Sequence, residues 1–197
     1  MNFKSSNNLS PSQDIIAGIL STDDSIEFFG IRSTKQVKYI QNGNVFDFNQ
    51  LHPKHFITLY NAYRRDITAC HYLKTVSRDS VAQVELYTYY CYGDLDYKPD
   101  MINGVLQPAE NFRDKINCPS LNFKSKNITI DGAVLTPRDI YIIDMVANEL
   151  TDKCIADSLG ITLSTLGFHK KNLFKKINVQ SKVGLIKKAM TENIPMS

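Results

Sequence analysis

No stretch of this chain comes close to the ~20 consecutive apolar residues that a membrane helix needs. The longest runs, such as IIAGIL at 15–20, are far shorter. The amino terminus, MNFKSSNNLSPSQ, has no apolar core ahead of a cleavage site, so no signal peptide is evident and a reduced, cytoplasmic setting is expected. Cysteine is sparse and scattered. Cys70, Cys91, Cys118 and Cys154 form no C-x-x-C pair, which argues against a disulfide framework or a zinc knuckle. Cys154 falls within a helical pattern and is expected to be a small buried hydrophobe. Cys70, His71, Cys91 and Cys118 would make a metal site only if four ligands converged, so no metal and no cofactor is assigned. Phosphate-binding glycine loops, nucleophile elbows and metalloprotease helix motifs are all missing, and the chain reads as a binding protein, not an enzyme.

Acidic residues are missing from one place in particular. The net charge is only +3, and residues 1–134 hold 14 basic and 14 acidic side chains. Residues 135–160 carry −3, whereas residues 161–191 carry +7 with no acid at all. Concentration of this kind is an electrostatic footprint for a polyanion. Its composition, 43% hydrophobic and 22% charged, is that of a globular protein. At 197 residues the chain can form one good core, or a modest domain and a small one.

Residues 1–13 read as a flexible tail. Alternation over SIEFFGIRSTKQVKYIQNGNVFDF predicts short strands, with Asn42-Gly43 as a hairpin turn. PKHFITLYNAYRRDITACHYLKTV predicts one helix over 53–76, with Phe56, Leu59, Tyr60, Tyr63, Ile67 and Cys70 on its inner face. For SRDSVAQVELYTYYCYG the aromatic residues favour a strand. Ser80 and Gln83 at capping-box spacing, with Gly93 as a helix end, tip the reading to a helix. An ordered, turn-rich loop follows, and then a short hairpin around Asp131-Gly132. The expected organisation is an α+β regulatory, sensor or dimerisation domain over 14–120, a linker and hairpin over 121–134, and a helical domain over 135–197.

From Leu135 the pattern becomes regular. Thr136 can cap a helix with Pro137 in its first turn and Asp139 at the positive end. Ile140, Ile143, Met145, Val146 and Ala147 then face inward. A short helix follows over 152–159, with Ile155, Ala156 and Leu159 inward, and Gly160 is free to turn left-handed. Thr162 caps a third helix, in which Leu163, Leu166, Leu173 and Ile177 reach the core and Phe168 falls outside the stripe. A fourth helix covers about 181–190, with Val183, Leu185, Ile186 and Ala189. Paired short helices followed by a basic one form a helix-turn-helix arrangement, whose second paired helix enters the major groove.

This segment resembles the DNA-binding domain of LuxR/GerE-type transcription regulators. Leu135, Thr136, Arg138, Lys153, Ile155, Ala156, Thr165, His169, Asn172, Lys176 and Ser181 keep that family's pattern. Asp139, Thr162, Leu166, Leu173, Ile177 and Lys182 are near substitutes. The resemblance covers about a third of the chain and implies an all-α four-helix fold that docks residues 162–177 in the major groove. It also implies dimerisation through the fourth helix. In four places the chain departs from the pattern: Gly167 and Ser164 stand where basic residues are common, Cys154 where Glu is usual, and Glu149 where Gly ends a helix.

Two readings of Gly167 stand side by side. Either the helix backbone approaches DNA closely there, with base contact passed to Phe168 (a thymine methyl) and Lys171 (guanine O6/N7), or the family's contact is simply lost. Thr162 and Thr165 at the helix N-terminus suit phosphate. Lys153, Lys170, Lys175 and Lys182 are the candidate phosphate neutralisers, His169 is expected to pack or cap, and Lys187 and Lys188 to be solvated. A dimer would read inverted half-sites about ten base pairs apart.

For the first 120 residues, a phosphoryl receiver would need Asp23-Asp24 and Asp47 at the ends of parallel strands, and their spacing is too short for it. A PAS-like sensor with an unidentified small-molecule ligand, or a module that only dimerises or binds a protein, remain. The resulting expectation is a sequence-specific DNA-binding transcription regulator acting on double-stranded DNA, as a homodimer, with RNA polymerase as a possible partner. The alternatives are a protein-binding anti-regulator and a sigma-like module, neither reading specific DNA by itself.

Overall fold

The computed structural model describes residues 15–194, so the tail expected over 1–13 lies outside them. Strands β1 (Glu27–Ile31), β2 (Gln36–Gln41) and β3 (Asn44–Asp47) form an antiparallel meander in that order. Asn42 at φ 50° and Gly43 at φ 77° are both left-handed, as a two-residue type I′ hairpin turn demands. This antiparallel order rules out a receiver's parallel sheet. The Asp23 carboxylate is taken up by the Gly18 and Ser25 amides, and Asp47 pairs with Lys38.

Three helices follow: α1 (Pro53–Arg65), α2 (Ile67–Val76) and α3 (Ser80–Cys91), of which α3 packs on the sheet and α1 and α2 pack against α3. The single helix expected over 53–76 is therefore two. Asp66 breaks it with a ψ of 90° and caps α2 through the Ala69 amide at 2.9 Å. The same carboxylate accepts from Ser125 N and Oγ, both at 2.7 Å. Ile67, the first residue of α2, is 69% exposed, and Tyr60 on α1 also faces out, both against expectation. Helix α3 forms as expected, but Asp79, not Ser80, caps it. Gly93 is needed for space: a Cβ there would lie 2.2 Å from the Tyr89 carbonyl oxygen and 2.8 Å from the Phe112 ring. Tyr87, Tyr89 and Tyr90 fill the core with Phe28, Leu59, Leu73 and Val84.

A small hairpin, β4 (Met101–Ile102) with β5 (Val105–Leu106), lies within the expected loop. A second one, β6 (Thr129–Ile130) with β7 (Ala133–Val134), turns at left-handed Asp131 and Gly132. Ile128 and Ile130 are buried in the helical core that follows, so this hairpin is part of that core and not a bare tether. The chain ends in α4 (Pro137–Ala147), α5 (Asp152–Leu159), α6 (Leu163–Lys176) and α7 (Lys182–Thr191). No helix among the described residues is long and apolar enough to cross a membrane.

The two cores meet at Leu121, which packs against both. A buried ion pair joins them as well. Arg113 Nη1 and Nη2 donate to Asp144 Oδ2 and Oδ1 at 2.9 and 2.8 Å, and Nη2 also donates to the Ile194 carbonyl. The two side chains are 0% and 1% exposed. A paired fork of this kind fixes one geometry between guanidinium and carboxylate.

Candidate nucleic-acid interface

The four C-terminal helices follow their local signals closely. Thr136 and Asp139 form a reciprocal capping box at α4, with Pro137 in the first turn. Ile140, Ile142, Ile143 and Val146 are buried, while Met145 and Ala147 are only partly so. After α4 the chain turns at Glu149, which holds φ 59°, a conformation strained for any residue with a Cβ. Thr151 caps α5, Gly160 closes it at φ 63°, and Thr162 caps α6. Leu166, Leu173 and Ile177 hold α6 against Ile155, Ala156, Leu185 and Ala189. Leu163 (57% exposed) and Val183 (78%) lie outside that core, contrary to expectation.

The other face of α6 is open. Ser164, Thr165, Gly167, Phe168, Lys171, Asn172 and Lys175 are all exposed, so residues 15–120 do not cover it. Phe168 is a 63% exposed aromatic ring, stacked edge-on to His169 with 6.1 Å between centroids. A Cβ built on Gly167 meets nothing within 4 Å, so no intramolecular contact demands glycine there. His169 Nε2 lies 3.2 Å from Arg138 Nη1. Since guanidinium only donates, this nitrogen accepts, and the bond ties α6 to the first turn of α4. Thr162 Oγ1 sits 2.8 Å from Thr165 Oγ1 and 3.0 Å from Ser164 Oγ, so a cluster of hydroxyls crowns the positive end of α6.

The basic charge is more divided than the sequence suggests. Lys170 is 7% exposed, with its Nζ 2.8 Å from Asp152 Oδ1, and Lys182 shares that oxygen at 2.9 Å. First Lys170 and then Lys182 hold the Asp152 carboxyl below the usual carboxylate range. Lys176 pairs with Asp139 at 2.5 Å and Lys188 with Asp131 at 2.6 Å. Burial alone would raise the Asp139 carboxyl, but Lys176 and the Thr136 cap outweigh it and leave it lowered. Among the described residues Lys153, Lys171, Lys175 and Lys187 form no such pair, and all four are exposed. Lys170 therefore ties α6 to the start of α5 and is buried, unlike those four lysines. Cys154, expected to be buried, is exposed beside Thr151.

Two short helices at a left-handed glycine, with a polar and basic outer face on the second, form a complete helix-turn-helix. Residues 133–189 match the GerE model, described as bacterial regulatory proteins of the luxR family. Residues 133–189 are a LuxR-family domain. Transcriptional regulatory protein MctR of Rhizobium johnstonii is 40% identical to this chain over 60 residues. That stretch is 30% of this chain and 28% of MctR, so the match spans less than a third of that relative's length. No solved structure matches the chain.

Within the LuxR-family domain the structure brings the expected site residues Thr162, Thr165, Gly167, Phe168, Lys171 and Lys175 onto one exposed face of α6. Lys153 is exposed on α5, and Lys182 lies at the foot of α7, bound to Asp152. Sequence reasoning missed Asp152 as the organiser of the lysines and Arg113 as the anchor of α4. Their partners are 18, 30 and 31 residues away, so no local pattern could flag them.

Proposed function

We propose that the protein regulates transcription by laying α6 in the major groove of double-stranded DNA. The observation that carries this reading is the open face of α6, from Thr162 to Lys175, which neither the core nor the other described residues cover. In helix-turn-helix docking the N-terminal half of this helix faces base edges. This reading gives base contact to Gly167, Phe168 and Lys171, and phosphate contact to Thr162, Thr165, Lys153 and Lys175. Lys182, half-exposed and shared with Asp152, can reach a phosphate at the domain's edge. Lys170 acts through Asp152 and not on DNA.

A small domain makes few contacts, so specific binding calls for a homodimer on inverted half-sites about ten base pairs apart. Residues 14–120 serve as the regulatory or dimerisation part, residues 121–134 as the junction and residues 135–197 as the DNA-binding part. RNA polymerase is the downstream partner, and the setting is the cytoplasm, in keeping with four free cysteines. Fluorescence anisotropy with labelled duplex DNA tests the reading. If a dimer neutralises about 6–10 phosphates, affinity falls by about 10³–10⁵ between 50 and 200 mM salt. Binding that is flat with salt would instead favour a protein-binding module, a reading supported by the uncharged Ser164 and Gly167 on the same face.

A further inference from the structure

Three carboxylates from distant parts of the chain converge beside the last turn of α7. One ligand oxygen each from Glu27 (β1), Asp96 (after α3) and Glu110 (after β5) lies within 4.8 Å of the other two. Glu27 is 0% exposed, yet its Oε2 receives no hydrogen bond among the described residues, and neither does Glu110 Oε1. Their other oxygens are already used. Asp96 N donates to Glu27 Oε1 at 2.8 Å and Asp94 N to Glu110 Oε2 at 2.9 Å. Asp94 and the buried Asp100 add two more carboxylates to the same neighbourhood, Asp100 Oδ2 accepting from Phe28 N at 2.8 Å.

Among the described residues no cationic side chain pairs with this cluster. No salt bridge among the described residues reaches Glu27, Asp94, Asp96, Asp100 or Glu110. Lys98 acts on Asp96 only from a distance, and Lys126, the cation nearest Glu110, gives its Nζ to the Tyr90 and Phe112 carbonyls. Buried carboxylates without a partner are costly unless a proton or a cation neutralises them. Burial first, with mutual repulsion added, pushes the Glu27 carboxyl up to about 9 and Glu110 to about 8. Asp96 and Glu110 line a cleft of about 400 Å³, open to ions and water.

We propose that Glu27, Asp96 and Glu110 hold one hard divalent cation of calcium size, with water from the cleft completing its shell. The donor set is entirely carboxylate oxygen, with no nitrogen or sulfur, which selects hard ions over zinc or copper. Calcium takes six to eight oxygen ligands including several protein carboxylates, whereas magnesium is usually held by only one or two carboxylates and keeps most of its waters. Three protein carboxylates therefore fit the larger ion better. The ion would also steady the segment that grips the chain just after the LuxR-family domain. Asp94 Oδ2 accepts from Asn193 Nδ2 at 2.6 Å, and Asn111 Nδ2 donates to the Glu192 carbonyl at 3.0 Å. The cysteines and His71, considered as metal ligands in the sequence, take no part in this group.

Calorimetric titration of chelator-treated full-length protein with calcium chloride, in the absence of DNA, tests the site. The expected result is one site per chain with a dissociation constant on the order of 10⁻⁴ M or tighter, a raised Tm, and at least tenfold weaker binding of magnesium. Asp96→Asn and Glu110→Gln, each checked for retained helix content by circular dichroism, should each weaken calcium at least tenfold. Neither lies on the α6 face, so these results are independent of whether the protein binds DNA. Absence of both binding heat and Tm shift at millimolar calcium would overturn the proposal. So would calcium binding that survives in both folded variants, since the ion would then sit elsewhere. If one variant fails to fold, the wild-type titration and the other variant decide.

Discussion

Replacing Gly167 by alanine separates what this residue does inside the protein from what it does on DNA. Glycine in a helix interior is about 0.8–1.0 kcal/mol less favourable than alanine, and Gly167 lies well within α6. An added Cβ would meet nothing within 4 Å, so no clash offsets that gain. Gly167→Ala should therefore stabilise the free protein by about 1 kcal/mol, or about 2–4 °C in Tm for a chain of this size. Urea denaturation followed by circular dichroism reads the change, and anisotropy on the same sample reads DNA affinity. If the helix backbone approaches DNA closely at this point, affinity drops at least tenfold, about 1.4 kcal/mol, in a protein that is more stable. If the position is merely vacant, affinity is unchanged, and Gly167→Lys restores a phosphate or base contact with a steeper salt dependence. Destabilisation of the free protein by Gly167→Ala would refute the reasoning, because it would require an intramolecular neighbour that the structure does not have.

Four further outcomes are expected. Arg113→Ala removes the guanidinium from a carboxylate that is 1% exposed and should cost about 3–5 kcal/mol, measured by denaturant unfolding; a cost under about 1 kcal/mol would show that the pair does not hold the two cores together. Glu149→Gly relieves a left-handed φ of 59° and should stabilise by up to about 1 kcal/mol, whereas destabilisation would mean the Glu149 side chain contributes a contact that outweighs its strain. Lys175→Ala should leave Tm unchanged and reduce the salt slope of DNA binding by about one, while Lys170→Ala should lower Tm and leave the slope nearly intact; the reverse pattern would contradict the pairing with Asp152. The Asp139 and Asp152 carboxyls are held below their ordinary value of 3.8, so their stabilisation is complete above it and fades as pH falls through the lower folded values. Stability followed from about pH 5 to pH 2 should decline less steeply in Asp152→Asn than in the wild type, and parallel curves would count against the lysine clamp.

The parts of this fold that were legible in sequence are those fixed by neighbours in sequence. Asn42-Gly43 and Asp131-Gly132 announce their hairpins because both turn positions need left-handed backbone. Thr136, Thr162 and Gly160 bound their helices by caps that depend on residues at most a few positions away. The break at Asp66 was not legible, since an apolar stripe runs through it unbroken and its second partner, Ser125, is 59 residues distant. The open face of α6 was readable from Phe168 falling off the apolar stripe. The burial of Lys170 was not, because a lysine's spacing says where its stem lies and not which distant acid receives its head. Glu27, Asp96 and Glu110 come together only through the packing of β1 against the segments after α3 and β5, which no periodicity encodes.

Selection of a randomised duplex pool by full-length protein at about 150 mM salt, where the Debye length is about 8 Å, tests the central claim most directly. The account predicts an enriched inverted repeat with half-sites about ten base pairs apart, whose pattern shifts when Phe168 or Lys171 is replaced by alanine. A pool that stays random with the wild-type protein, or an enriched motif indifferent to both substitutions, would contradict the placement of α6 in the groove.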